Sequence, residues 1–101
     1  MRKIEVDAYV IDALMRDLVG HDRQPSAFLV YLYLWRRSGN DDPRTTTVSL
    51  REIAESTGLS KRAVQDGLAR LRRRRLIGIH RESLTAVPEY TVHRPWARRS
   101  D

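Results

Sequence analysis

Apolar positions along this chain recur at helical spacing in four stretches and at strand spacing in two, with a β-rich run between. In residues 8–19, Val10, Ile11, Leu14, Met15 and Leu18 keep one helical stripe, with Asp7 placed to cap it and Gly20 and the run HDRQP placed to end it. Residues 25–37, PSAFLVYLYLWRR, are the most apolar: Phe28, Tyr31, Leu32 and Trp35 share a face, and Val30, Tyr33 and Leu34 cover much of the rest. A buried strand competes there, but the length, Pro25 at the start and Ser38-Gly39 at the end favour a helix. A helix apolar nearly all round is buried on several sides or buries a second face against a partner. Phe28, Tyr31, Tyr33 and Trp35 are therefore core packing or a dimer interface. Residues 1–6 read as a short strand or a frayed arm, and 39–44, GNDDPR, as a loop. Residues 45–48 suit a short first strand. Ile77 and Ile79, then Tyr90 and Val92, alternate as two strands do, over 76–81 and 89–92, joined by the mostly neutral loop ESLTAVP.

The remaining helical stretches lie in SLREIAESTGLSKRAVQDGLARLRRRRLI, residues 49–77, around which the rest is organised. Ser49 and Glu52 make an S-x-x-E capping box, and Val48 with Ile53 a hydrophobic staple. Leu50, Ile53, Ala54 and Thr57 hold one face, and Gly58 supplies the permissive backbone of a helix end. Ser60 caps the next helix, with Leu59 and Val64 as a second staple and Val64, Gly67, Leu68 and Leu71 turned inward. Gly67 costs about 1 kcal/mol against alanine inside a helix, and close approach to the preceding helix would be the return.

At these residues the chain resembles the winged helix-turn-helix domain of bacterial transcription regulators. LREIAESTGLSKRAVQDGLARL follows that pattern in residue type, with Ala54 at the helix crossing and Gly58 at the turn. SKRAVQDGL is similar to the S-R-x-x-V-R-E-A-L run of GntR-type regulators; Asp66 falls on its acidic position, and Gln65 where an arginine that touches DNA often stands. The likeness extends to MarR-type regulators and to the shorter helix-turn-helix modules of plasmid and phage replication proteins. It departs at Arg75, which occupies the place of the glycine that usually ends the second helix. A left-handed arginine there costs about 1–2 kcal/mol, which puts the helix end and the wing angle in question.

The resemblance implies an α+β, mainly α fold: a winged helix-turn-helix with an extra N-terminal helix and a small antiparallel sheet, in the order α-α-β-α-α-β-β. It would occupy residues 1–96, with a loose basic tail at 97–101 and Trp96 pinning that tail to the core.

Charge adds a partner. The formal charge is +6. Residues 1–50 hold seven basic and seven acidic side chains, while 51–101 hold twelve and six, so the whole excess lies in the helix-turn-helix half. That asymmetry points to a polyanion, although charge also serves solubility. Length sets one domain, able to bury a core without staples. The chain has no cysteine, and no leader or 18-residue apolar run opens it or interrupts it.

The candidate residues follow. With Val64, Leu68 and Leu71 inward, the second helix turns Lys61, Arg62, Gln65, Asp66 and Ala69 outward. Such a helix lays its N-terminal half in the major groove. Lys61, Arg62 and Gln65 are the expected base readers: arginine forks onto guanine O6 and N7, and glutamine pairs with adenine N6 and N7. Ser60, Arg72, Arg73, Arg74 and Arg81 are the expected phosphate ligands. The arginine run also suits the negative end of the helix dipole. With about five phosphates neutralised, log K should fall with log salt at a slope near −4.5. The wing loop holds no basic residue beyond Arg81, so helix contact outweighs wing contact.

His21, His80 and His93 are scattered, and adjacent Asp41 and Asp42 read as a turn; no metal site, cofactor motif or catalytic constellation is expected. The expected protein is a non-enzymatic, cytoplasmic, nucleoid-associated homodimer that binds double-stranded DNA selectively, in transcriptional regulation or plasmid and phage replication control, without membrane contact. The rival is a winged-helix protein-interaction module that does not bind DNA, working through the neutral wing loop and the helix at 27–35.

Overall fold

Ser49 and Ser60 each open a helix because a serine hydroxyl can accept an N–H that the first turn leaves without a partner. The structure is a computed structural model describing residues 1–97. In it, Ser49 Oγ accepts from the Glu52 N–H at 3.0 Å and Ser60 Oγ from the Ala63 N–H at 3.0 Å. Three α-helices and three strands follow in the order α1 (Pro25–Ser38), β1 (Arg44–Thr47), α2 (Leu50–Thr57), α3 (Lys61–Arg73), β2 (Ile77–His80) and β3 (Glu89–Val92). A helical stretch precedes α1, and a 3-10 turn, Pro95–Ala97, follows β3. This is the expected α+β winged helix-turn-helix with its extra N-terminal helix. Of the basic tail expected at 97–101, Ala97 belongs to the 3-10 turn, and 98–101 lie outside the described residues.

α1 is the centre of the molecule. Its proline start and its glycine stop at Gly39, φ +70°, fall where the sequence put them. It packs against the N-terminal helix, α2, α3, β1 and β3, which is why it is apolar nearly all round. The sheet order is β1-β3-β2, antiparallel throughout, with Arg44 and Ile77 both opposite Val92. Tyr90, Val92 and Ile77 turn to the core. β1 starts one residue earlier than expected and releases Val48, which is buried, as is its expected staple partner Ile53.

The N-terminal helix differs from expectation. Residues 8–21 are helical, but Val10–Leu14 and Arg16–His21 are wound wide: the Met15 N–H donates to Val10 O and the Asp22 N–H to Asp17 O, both i→i+5. Wider turns bury every fourth residue, Val10, Leu14 and Leu18, and leave Ile11 47% exposed. Gly20 lies inside this helix; the stop is Arg23, left-handed at φ +53°. Asp7 does not cap with its side chain. Its Oδ2 instead accepts from Arg94 Nε at 2.9 Å and Nη2 at 2.7 Å, and from Trp96 Nε1 at 2.9 Å. Trp96 also stacks on Tyr9, ring centroids 4.7 Å apart, and so pins the C-terminal segment as expected. Residues 1–6 form no strand.

Three further details correct the sequence reading. The capping box is half made, because the Glu52 carboxylate takes Arg37 Nη1 at 2.9 Å. Arg37 also reaches Thr47 O at 3.0 Å, so one guanidinium ties the end of α1 to β1 and to the start of α2. Gly67 meets α1, not α2: a Cβ there would lie 3.2 Å from Ala27 Cα, Ala27 N and Ser26 C. The end of α3 is built as a glycine would build it. Arg75 sits at φ +59°, its N–H donates to Arg72 O at 3.0 Å, and the Leu76 N–H to Leu71 O at 2.9 Å. This is the Schellman pairing, and the two leucines at its hydrophobic positions, Leu71 and Leu76, are both buried.

Candidate nucleic-acid interface

α3 acquires its two faces from its sequence period. Val64, Gly67, Leu68 and Leu71 are buried against the rest of the fold. Residues turn about 100° each around a helix, so Arg62, Asp66, Ala69 and Arg73 lie opposite that buried face, and Lys61, Gln65 and Arg72 form one flank of it. All seven are exposed. Gly58, left-handed at φ +80°, turns the chain from α2 into the Ser60 cap, and this positions the N-terminal end of α3.

The structure therefore places Lys61, Arg62 and Gln65 together on the first two turns of α3. The Arg62 side chain is 83% exposed, and its Nε donates to Asp66 Oδ1 at 3.3 Å. Ser60 is exposed at the same end, its oxygen engaged in capping. Arg72 and Arg73 project from the last turn and, among the described residues, make no ion pair.

Arg74 is a correction. Its Nε and Nη2 donate to the two oxygens of Asp22, each at 2.7 Å, and the Asp22 side chain retains only 5% of its accessible surface. A guanidinium held this way is a structural cation and leaves the phosphate set. The hydrogen bonds from Arg74, helped by His21 and the charges of Arg74 and Arg70, outweigh burial and hold the Asp22 carboxyl well below the usual carboxylate range. Arg70 joins the same group, donating to Gln24 Oε1 at 3.2 Å. Sequence reasoning missed Asp22 because its partner is 52 residues away; an acid at the end of one helix facing an arginine run was the available signal.

Arg81 is exposed at the base of the wing, where Nη1 donates to Leu84 O at 3.3 Å. This leaves the wing tip neutral, with Leu84 93% exposed.

For Phe28, Tyr31 and Trp35 the core reading replaces the dimer-interface one. Phe28, Tyr31 and Trp35 are 6%, 0% and 2% exposed within one chain, and Tyr33 is half-buried against the same core. The polar handles of the two largest are used internally: Tyr31 donates its hydroxyl proton to His93 O at 2.8 Å and Trp35 Nε1 donates to Glu5 O at 2.8 Å. The guanidinium of Arg44 lies over the Trp35 ring, 4.0 Å from its centroid.

Among the described residues no helix is long and apolar enough to cross a membrane, and no group of three acidic or histidine side chains is arranged to hold a metal ion. No curated protein and no solved structure matches the chain. The helix-turn-helix domain family matches residues 24–77, just over half the sequence, spanning α1, β1, α2 and α3. Such domains are typically non-enzymatic DNA-binding modules. With two capped helices joined at Gly58 and a basic, exposed second helix inside the matched span, the chain belongs to the helix-turn-helix domain family.

Proposed function

We propose that this chain binds double-stranded DNA selectively, in transcriptional regulation or in control of plasmid or phage replication, in the bacterial cytoplasm at the nucleoid. The observation that carries the reading is the exposed surface of α3, where Arg62 and Arg73 stand opposite the buried stripe and Lys61, Gln65 and Arg72 line one flank of it. The likeness of SKRAVQDGL to GntR-type regulators supports it.

In this reading α3 enters the major groove from its N-terminal end. Lys61, Arg62 and Gln65 read base edges, while Ser60, Arg72, Arg73 and Arg81 neutralise or bond to phosphates. Arg75 is exposed beside them and takes the place that Arg74 vacates. With the four arginines 72, 73, 75 and 81 as phosphate ligands, log K falls with log salt at a slope of about −3.6. One α3 offers few base contacts, so the chain acts as a homodimer on two half-sites about 34 Å apart. The surface for that dimer lies away from Phe28, Tyr31 and Trp35, and sedimentation at micromolar concentration tests it.

A fluorescence-anisotropy titration with random duplex DNA at low and moderate salt tests the core of the proposal. Strong salt-dependent binding supports it, and a slope near zero ends it. The rival, a protein-interaction module, keeps the neutral wing loop and loses most of the helix at 27–35, whose Phe28, Val30, Tyr31, Leu34 and Trp35 are buried in their own chain while Leu29 stays exposed. Arg62→Glu separates the two: DNA binding collapses, whereas capture of a partner by the wing survives.

A further inference from the structure

Asp66 is an acid on the outermost face of a helix otherwise studded with cations. Its Oδ1 lies 3.3 Å from Arg62 Nε, and the two side chains are 53% and 83% exposed. Helix stability explains little of this pair. With the base N-terminal to the acid, an i,i+4 pair has the weaker orientation against the helix dipole. At this exposure such pairs contribute little in any case. Affinity for a polyanion explains it still less, since a carboxylate on the approaching face repels phosphate.

Geometry explains more. Arg70 and Arg73 line the same surface hollow as Asp66, yet Arg70 is turned to Gln24 and Asp22, and the carboxylate takes Arg62. It does so through Nε, the one guanidinium nitrogen inside the side chain. A guanidinium held at Nε is biased in orientation and keeps both terminal Nη groups free. Recognition of guanine by arginine needs two parallel N–H groups aimed at O6 and N7. An unrestrained arginine would have to lose its rotamer freedom on binding; one engaged by Asp66 has already lost part of it.

From this we infer that Asp66 is a positioning residue. It presents the Nη fork of Arg62 to a guanine and so sets specificity at one base pair while lowering affinity for DNA in general. The inference rests on the DNA-binding reading above and adds a role for a residue that makes no DNA contact itself.

The test begins with a duplex selected by the full chain from a random library. Each guanine is then replaced in turn by 7-deazaguanine, which lacks the N7 acceptor. The expected result is one guanine whose replacement weakens wild-type binding about tenfold, with that penalty absent in Arg62→Ala. In Asp66→Ala the penalty should shrink to within about twofold, while affinity for random duplex rises. Asp66→Asn keeps an Oδ1 that can accept from Nε, so it should restore the penalty while random-duplex affinity stays raised. A merely structural role of Asp66 would leave the base-specific penalty untouched in both Asp66 variants. Retention of the full penalty in Asp66→Ala overturns the inference, as does the absence of any guanine penalty that depends on Arg62. A wild-type chain that selects no duplex overturns the DNA-binding reading first, before any variant is made.

Discussion

Asp22 and Arg74 close a two-pronged ion pair, 2.7 Å at each prong, between the end of the N-terminal helix and the end of α3. Each residue immediately precedes an arginine held left-handed, Arg23 and Arg75. The pair thus ties together two strained helix ends. Asp22→Asn should destabilise the fold by about 2 kcal/mol at neutral pH, because it removes the charge from a nearly buried, charge-assisted bond. The folded-state pKa of Asp22 is depressed below the unfolded value of about 3.9, so this contribution is complete above that pH and fades as pH falls through the folded pKa. Denaturant melts of wild type and Asp22→Asn should accordingly differ at pH 7 and converge in strong acid. A constant difference down to the lowest pH at which the protein folds would show that the charge is not what matters.

Neighbouring arginines should separate cleanly. Arg73→Ala is expected to reduce the steepness of the salt dependence of DNA binding by about 0.9 and to leave the melting temperature almost unchanged. Arg74→Ala should do the reverse, lowering stability by about 2 kcal/mol with the salt slope intact when measured where the variant is folded. Equal effects of the two on the slope would return Arg74 to the phosphate set.

Arg75→Gly tests the left-handed end of α3. Glycine removes a strain of about 1–2 kcal/mol at φ +59°, offset in part by about 0.4–1 kcal/mol from the greater freedom of the unfolded chain. A net stabilisation of about 0.5–1 kcal/mol should appear in thermal melts. DNA affinity should fall modestly in the same variant, since one cation is lost. A destabilised Arg75→Gly would mean that the arginine side chain contributes more to the helix end than its backbone strain removes.

Gly67→Ala sets two effects against each other. Alanine gains about 1 kcal/mol in helix propensity. Its Cβ, however, would press at 3.2 Å on three backbone atoms of α1, and a helix start cannot yield as a flexible side chain can. Overpacking of about 1–3 kcal/mol should win, giving a net loss of about 1 kcal/mol by chemical denaturation. A stabilised variant would show that α1 can slide relative to α3.

The elements that hold themselves up locally were legible in the sequence. Ser49, Gly58 and Ser60 punctuate the helix-turn-helix through hydrogen bonds within a few residues, and their positions agree with the structure. The strand over 89–92 was placed to the residue because Tyr90 and Val92 alternate between polar neighbours. What stayed hidden depends on distant partners. Arg74 looks like its three neighbours until Asp22 is brought to it, and Glu52 leaves its capping role only because Arg37 arrives from α1. The α1 aromatics carried two readings since sequence cannot say whose surface covers a helix; here it is the chain's own. The wide winding before α1 escaped because stripes of period 3.6 and of slightly longer period differ by a single residue, Ile11, over so short a helix. On the candidate interface, the outward set followed from the inward one, but the Arg62–Asp66 pairing did not, since either side chain can reach several neighbours.

Tyr31 and Trp35, one turn apart on α1, spend their only polar atoms on His93 and Glu5, and Asp7 then grips Arg94 and Trp96 across the gap. The two ends of the fold are therefore knotted to each other and to its central helix. Most domains loosen first at their termini. Here Glu5 and His93 are each bonded to α1, and Asp7 to Arg94 and Trp96, so release of either flank at these residues and melting of the whole should be the same event.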